Sequence, residues 1–306
     1  MLLRDLISKG TETISQAFPE REAREMVLMF LQHSIGTSRH THILEPSYEV
    51  SGEAASHAMG AFDRMASGEP IQYIIGKAYF YDREFDVTPD VLIPRPETEL
   101  LVREAVNWAR RSGRNSLRVL DLCTGSGCIA WSMALELPGS EVTAVDISER
   151  ALDVASSQDF ADEMQRTGAI APHFVKADVL SDDLPSVLYE ETASDVHDQP
   201  DDRHGHFDLI LSNPPYVMDK EKALMRSNVL DHEPHLALFV PDDDPLVFYR
   251  AIARHASYLL SEDGFGMVEI NEALGEETAE VFRTAGFSTE IIKDLAEKDR
   301  FVRFFR

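Results

Sequence analysis

Apolar residues along this chain change their period twice, and the changes divide it into three parts. Over residues 1 to 70 the spacing is helical. In "REAREMVLMFLQHSIG", Ala23, Met26, Val27, Phe30 and Leu31 fall on one stripe, and Gly36 supplies the stop. "SGEAASHAMGAFDRMASGEP" (51–70) predicts a second helix, ended by Gly68 and Pro70. The methionines and aromatics of these stripes are read as ordinary core. From 71 to 93 the pattern shortens to β-type runs, "YIIG", "AYFYDREFDV" and "VLI", which predict a β-hairpin joining two domains.

From "ETELLVREAVNWARR" onward, strands and helices alternate. The strands are "LRVLDLC" (117–123), "EVTAVDI" (141–147), "PHFVKAD" (172–178), "FDLILSN" (207–213) and "GFGMVEI" (264–270), with helical patterns at 126–137, 149–166 and 245–260. This alternation predicts an α/β fold with a parallel sheet covered on both faces. "FSTEIIKDL" and "RFVRFFR" supply a closing hairpin at the C-terminal edge. The expected domains are a helical 1–70, a hairpin linker 71–96 and an α/β domain 97–306. One stretch interrupts the alternation. "DDLPSVLYEETASDVHDQPDDRHGH" (182–206) is acidic, carries three histidines and is read as a mobile solvated loop, not a metal site.

Composition narrows the choice of function. With 306 residues, 43% of them hydrophobic, the chain can bury a sizeable core. No apolar run is long enough to span a membrane, and "MLLRDLISKGTETISQ" meets charges too early for a signal peptide. Two cysteines, Cys123 and Cys128, build neither a disulfide framework nor a zinc site and fit a reducing cytoplasm; no metal is expected. The formal net charge of -25 disfavours attachment to nucleic acid, whose phosphates demand a basic footprint.

"VLDLCTGSGCIA" reads as a strand, a glycine-bearing turn and a helix start, an arrangement that brings backbone N–H groups close to a ligand. About 20 residues on, "VTAVDIS" ends its strand on Asp146, the place for a carboxylate that accepts from ribose hydroxyls. These two features leave the ligand open. Gly125-Ser126-Gly127-Cys128-Ile129-Ala130 satisfies the loose dinucleotide pattern of a dehydrogenase. Asp-x-x-x-Gly-x-Gly, from Asp121 to Gly127, instead resembles motif I of S-adenosylmethionine-dependent methyltransferases, with Cys123 in the first glycine position. Asp178, ending "KAD", stands either where that superfamily reads adenine or as a helix cap.

"LILSNPPYVM" (209–218) separates the two readings, because a dehydrogenase has no use for an Asn-Pro-Pro-Tyr corner at a strand end. The tetrapeptide resembles motif IV of methyltransferases that act on planar –NH2 groups. A carboxamide nitrogen is a poor nucleophile, its lone pair delocalised into the carbonyl. Two acceptors, the Asn213 side-chain oxygen and the Pro214 carbonyl, hold its two N–H bonds and favour the charge that develops during attack. Pro214 and Pro215 fix φ, and Tyr216 presents an aromatic face to the planar group.

The remaining motifs give the resemblance its specificity. "GEPIQYIIGKAYFYDREFDVTPDVLIPRPETELLV" (68–102), "RVLDLCTGSGCIA", "AVDIS", "LILSNPPYV", "HEPHLALF" (232–239) and "DRFVRFF" are similar, in order, to the bacterial peptide chain release factor glutamine methyltransferases. "LIPRPETELLV" distinguishes these from the ribosomal protein glutamine methyltransferases, the alternative within the chemistry; a DNA adenine methyltransferase shares the clamp but wants a basic groove. The 182–206 insertion and "VPDDDPLVFYRAI" depart from the family pattern.

The resemblance implies a Rossmann-like methyltransferase sheet with a small helical N-terminal domain that grips the substrate. It implies methyl transfer from S-adenosylmethionine to the glutamine of the Gly-Gly-Gln motif of class I release factors, with no membrane or direct nucleic-acid partner. Cys123, Thr124, Gly125, Ser126, Gly127, Asp146, Asp178, Val179 and Asn213 would contact the cofactor. Asn213, Pro214, Pro215 and Tyr216 would hold the glutamine, with Asn213, Pro214 and Tyr216 as the catalytic set. Arg95, Glu97 and Thr98 either line the cavity or belong to a linker stiffened by Pro94 and Pro96, with Glu97 starting a helix. The acidic balance fits a protein partner that is itself basic in places.

Overall fold

A computed structural model describes residues 1–114, 116–193 and 207–306. Its first unit, Met1–Lys77 with Met225–Glu233, is helical: α1 (Leu3–Ile14), α2 (Glu20–Ile35), α3 (Thr41–Leu44), α4 (Gly52–Ala66) and α5 (Ile71–Ile75). Four members of the expected α2 stripe, Ala23, Val27, Phe30 and Leu31, are buried, with Met26 packed beside them. Phe62 of α4 meets the Phe30 ring edge-on at 5.8 Å. Ser51 starts α4 by accepting the Ala54 N–H, satisfying one free donor of the first turn.

The sequence reading placed boundaries at 70 and 96. The units divide instead between Lys77 and Ala78, because Ile71 of α5 belongs to the helical core. Met225–Glu233, from far along the chain, joins the same unit.

The second unit comprises Ala78–Leu224 and Pro234–Arg306. Strands β1 (Lys77–Phe80) and β2 (Arg83–Asp86) pair across a two-residue turn, Tyr81 and Asp82, both at positive φ as a tight hairpin requires. There follow β3 (Arg118–Leu122), β4 (Glu141–Asp146), β5 (His173–Lys176), β6 (Phe207–Ser212), a small pair β7 (Val217–Met218) and β8 (Phe239–Val240), then β9 (Leu260–Glu269), β10 (Ser288–Lys293) and β11 (Asp299–Phe305). Seven form one sheet in the order β10-β11-β9-β6-β3-β4-β5. Strands β5, β4, β3, β6 and β9 run parallel, and β11 enters antiparallel between β9 and β10.

The helices of this unit are α6 (Glu99–Ser112), α7 (Cys128–Glu136), α8 (Glu149–Ser156), α9 (Ala161–Thr167), α10 (Leu184–Ala193), α11 (Val247–Leu259) and α12 (Gly275–Thr284). Alternate strand residues feed two cores, as burial on both faces demands. Val119, Leu209, Leu211 and Met267 pack with α6 and α7, while Leu120, Leu122, Ile210 and Val268 pack with α11 and α12.

Two expectations are corrected here. The single helix read over 149–166 is broken between α8 and α9, where buried Gln158 turns inward to bond the backbone of Asp86 and Ser126. The 182–206 segment is not wholly a loop, since α10 buries Leu184 and Leu188 in the sheet core. Its remainder, 194–206, including all three histidines, lies outside the described residues.

Phe304 of β11 lies closely over its partner Gly266 of β9; a Cβ on Gly266 would stand 2.0 Å from the Phe304 ring. Phe304 has no room to retreat, being stacked on Phe282 at 4.2 Å and edged by Phe287. We expect Gly266→Ala to destabilise this unit by about 1–3 kcal/mol, seen as a lowered denaturation midpoint with the slope unchanged.

Candidate active site

Strand register assembles the site. Leu122 pairs with Val145 of β4 and with Ser212 of β6, and Ser212 pairs with Val268 of β9. The next residue on each strand, Asp146, Cys123, Asn213 and Glu269, therefore stands in one row at the carboxyl ends of four neighbouring parallel strands. Between β3 and β6 the winding of the sheet reverses, the place where open α/β sheets take ligands. A cavity of about 200 Å3, open to solvent, lies there.

The turn after β3 forms one wall. Cys123, Gly125 and Gly127 all have positive φ (62°, 55° and 78°), so Cys123 holds the left-handed conformation that glycine adopts more cheaply. Thr124 N–H donates to Val145 O (3.0 Å) and Gly125 N–H to Asp146 Oδ2 (2.9 Å), tying the turn to β4. At Gly127 a side chain is excluded twice, by its φ and by Ala155 Cβ, 3.0 Å from where a Cβ would lie. Burial pushes the Cys123 thiol well above its usual pKa and the Cys128 thiol up to about 12, so neither is a thiolate nucleophile.

Asp121, inside β3, is fully buried. Desolvation pushes its carboxyl up to about 7; the Thr124 hydroxyl, donating at 2.6 Å, and the Ala130 N–H act in the opposite direction. Asp146 is raised too, again by desolvation, and accepts from the N–H groups of Gly125 and Ser148 (each 2.9 Å). Asp178 accepts from Leu180 N–H (2.8 Å) in a local turn, so it caps no helix. The next residue, Val179, is buried and its carbonyl accepts from His255 Nε2 (2.9 Å), a ring whose pKa burial lowers.

The opposite wall is the Asn-Pro-Pro-Tyr corner. Asn213 Nδ2 donates to Thr98 Oγ1 (3.2 Å), and Thr98 Oγ1 donates to Glu269 Oε2 (2.6 Å). Tyr216 donates its hydroxyl to Glu269 Oε1 (2.9 Å), and its carbonyl accepts from Asn271 Nδ2 (3.2 Å). Asn271 Nδ2 also donates to Glu221 Oε2 (2.9 Å), which accepts the Met218 N–H. The corner is thus fixed at both ends.

The cavity gathers Cys123, Thr124, Gly125, Ser126, Asp146, Asp178, Val179, Asn213 and Pro215, with Arg95 and Thr98 from the "IPRPETE" segment. Gly127, Pro214 and Tyr216 are not among its lining residues. The Tyr216 ring, expected to face a planar group, packs against the sheet core with its hydroxyl committed to Glu269. Glu97 is exposed and does not line the cavity, because Thr98 is the residue of that turn that points inward. Sequence reading missed Glu269, Asn271 and Phe248. The signal for Glu269 was a carboxylate closing the apolar strand "GFGMVE", where burial on both faces leaves no solvated position for it. Among the described residues no cluster of three or more His, Cys, Asp or Glu side chains could hold a metal, and no helix is long and apolar enough to cross a membrane.

Two family descriptions match the chain: "PrmC N-terminal domain" over residues 5–76 and "Methyltransferase small domain" over 97–236. The chain is 34% identical over 305 residues to the release factor glutamine methyltransferase of Flavobacterium psychrophilum, covering 99% of each. To the protein of the same name from Bacteroides thetaiotaomicron it is 36% identical over 291 residues, covering 94% of this chain and 95% of that one. The Deinococcus radiodurans protein of that name is 30% identical over 306 residues, 99% of this chain and 98% of that one.

Asp121 generates a pH prediction. Its folded-state pKa is raised from 3.8 to about 7, so its contribution to stability is full below about pH 4 and is lost as pH rises towards 7. Between pH 5 and 8, denaturant titrations should show Asp121→Asn gaining on the parent protein, by on the order of 2–4 kcal/mol. A difference constant with pH would contradict the assignment.

Proposed function

The chain belongs to the release factor glutamine methyltransferase family, and we propose that the cavity over the strand ends is where it methylates a release-factor glutamine. The enzyme transfers a methyl group from S-adenosylmethionine to the side-chain amide nitrogen. The observation that carries the site assignment is the orientation of Asn213. Its Nδ2 is committed to Thr98, and among the described residues its Oδ1 receives no hydrogen bond, so a cavity-lining carboxamide offers an acceptor to whatever enters.

The residues present fit the cofactor. The Asp146 carboxylate, held by the N–H groups of Gly125 and Ser148, stands at the strand end as an acceptor for ribose hydroxyls. Gly125 opens onto free space, with nothing within 4 Å of a Cβ built there. Ile147 and Leu180, both exposed, offer apolar surface beside Asp178 for a planar base. Cys123 to Gly127 form the backbone cradle and Val179 the adjoining wall. When bound, S-adenosylmethionine supplies an electrophilic methyl on a sulfonium.

The chain's own residues do the rest. Asn213 Oδ1 accepts one N–H of the substrate amide. In this reading the carbonyl of Pro214, the residue between the cavity-lining Asn213 and Pro215, accepts the other. Both acceptors stabilise the positive charge that nitrogen gains in attack; Thr98 holds the Asn213 side chain and the two prolines hold the backbone. No positioned base is required: an N-alkylated amide still carrying its extra proton is a strong acid and yields that proton to water. Tyr216 serves the corner through its hydrogen bond to Glu269.

Within the release factor, the glutamine of the Gly-Gly-Gln motif is the substrate this reading assigns, with the helical unit as its gripping surface. Residues 1–70 carry ten acids against six bases, so most of the excess of 54 acids over 29 bases lies in the methyltransferase unit. Attraction to a basic partner would accordingly be exerted mainly there.

The test uses S-adenosylmethionine labelled in the methyl group, offered with a class I release factor, the same factor with its motif Gln replaced by Ala, a ribosomal protein fraction and duplex DNA. Label should enter the release factor alone and disappear with the glutamine. Label in DNA or ribosomal protein instead would overturn the choice of substrate. In the same assay Asn213→Ala should lower turnover more than about tenfold while cofactor affinity changes less.

A further inference from the structure

Glu269 is almost wholly buried at the end of β9, one strand from Asn213 and in register with it. It lies 171 residues from Thr98, so the fold has placed them together. A buried carboxyl is costly unless its oxygens are satisfied, and here each takes one donor: Thr98 at Oε2 (2.6 Å), Tyr216 at Oε1 (2.9 Å). The Tyr249 hydroxyl bonds the backbone carbonyl of the same residue (3.1 Å).

The direction of these bonds has a consequence for the cavity. Both Glu269 oxygens accept, one from Thr98 and one from Tyr216. Thr98 has a single proton and gives it to Glu269, so its oxygen can only accept from Asn213. Asn213 must then turn its NH2 towards Thr98, which forces Oδ1 towards the cavity. Were the relay reversed, Asn213 would present an N–H there and would hold a substrate carboxamide by its oxygen, bringing the wrong atom to the methyl donor.

We propose that Glu269 is a positioning residue which, acting through Thr98 on Asn213 and directly on Tyr216, selects the nitrogen of the substrate amide over its oxygen. This role rests on the reading of the cavity as the methyl-transfer site. Desolvation raises the Glu269 pKa, while the two hydroxyl donors and the charge of Arg300 hold it down and Glu97 adds slightly to the rise. Removing either hydroxyl therefore disturbs the carboxylate as well as the relay.

Three variants test the role. Glu269→Gln keeps the shape but puts an NH2 against Thr98 or Tyr216. Thr98→Val keeps the shape but deletes the relay, and Thr98→Ser keeps the hydroxyl. On a release-factor substrate, kcat should fall about 10- to 100-fold in Glu269→Gln and Thr98→Val. The cofactor dissociation constant should stay within about twofold, since neither Glu269 nor Thr98 belongs to the turn after β3 or to the Asp146 strand end, and Thr98→Ser should retain most of the activity. The double variant should be no worse than the poorer single one, as expected for residues acting in series. Parent-like kcat in Thr98→Val, or loss in Thr98→Ser equal to that in Thr98→Val, would overturn the proposal.

A second measurement needs no substrate. With 15N-asparagine labelling, the Asn213 side-chain NH2 should be protected from exchange in the parent protein and in Thr98→Ser, and unprotected in Thr98→Val. Absence of protection in the parent would refute the relay whatever the activities. Failure of the parent to methylate any release factor would instead remove the functional reading while this exchange result still decides the relay.

Discussion

Parallel pairing of β4, β3, β6 and β9 in one fixed register is the constraint on which the site depends. Leu122, Val145, Ser212 and Val268 are mutually aligned through three strand pairs, and the four residues that follow them supply the cavity's chemistry. A slip of one residue in any pair would exchange the two faces of that strand and carry its chemical residue out of the row. The register is held by the cores themselves, since alternate residues of each strand feed opposite, equally apolar faces. The Ser212 hydroxyl adds a bond across to Leu122 O (2.7 Å) just beneath the row. Motifs separated by 90 residues thus become neighbours without a direct contact between their loops having to form first.

The same end of the sheet concentrates acidic groups where water is scarce. Asp121, Asp146 and Glu269 all have raised pKa values, each chiefly from desolvation, and each is offset by particular donors: Thr124, the N–H groups of Gly125 and Ser148, and the hydroxyls of Thr98 and Tyr216. A ligand that brings positive charge and hydroxyl donors to this end of the sheet relieves part of that cost. Binding and catalysis share one design here, in which acceptors stand fixed before the substrate arrives.

The sheet was legible because its period is plain. Apolar runs bounded by turn residues gave all five parallel strands, and the closing hairpin was visible in "FSTEIIKDL" and "RFVRFFR", though its second strand is the one inserted beside β9. The glycine turn, Asp146 and the Asn-Pro-Pro-Tyr corner were legible because each ends a strand with residues that a plain turn does not need. What escaped is set by tertiary contact. Gln158 breaks a helix by reaching to Asp86 and Ser126, partners 72 and 32 positions away. Polar residues of 182–193 concealed Leu184 and Leu188, whose burial makes that stretch a helix. Glu97 and Thr98 are adjacent in sequence, and only the turn at Pro96–Thr98 decides that Thr98 faces inward. Glu269 acquires a role only once Thr98 and Tyr216 are seen to donate to it.

The central claim is that a fixed oxygen of Asn213 receives the substrate nitrogen. The most direct measurement is a crystal structure of the protein with S-adenosylhomocysteine and a release-factor fragment carrying the Gly-Gly-Gln loop. The account predicts the glutamine Nε2 within hydrogen-bond distance of both Asn213 Oδ1 and the Pro214 carbonyl, with the glutamine oxygen turned away from Asn213. A glutamine held by its oxygen on Asn213, or lying outside the cavity over the strand ends, would contradict it.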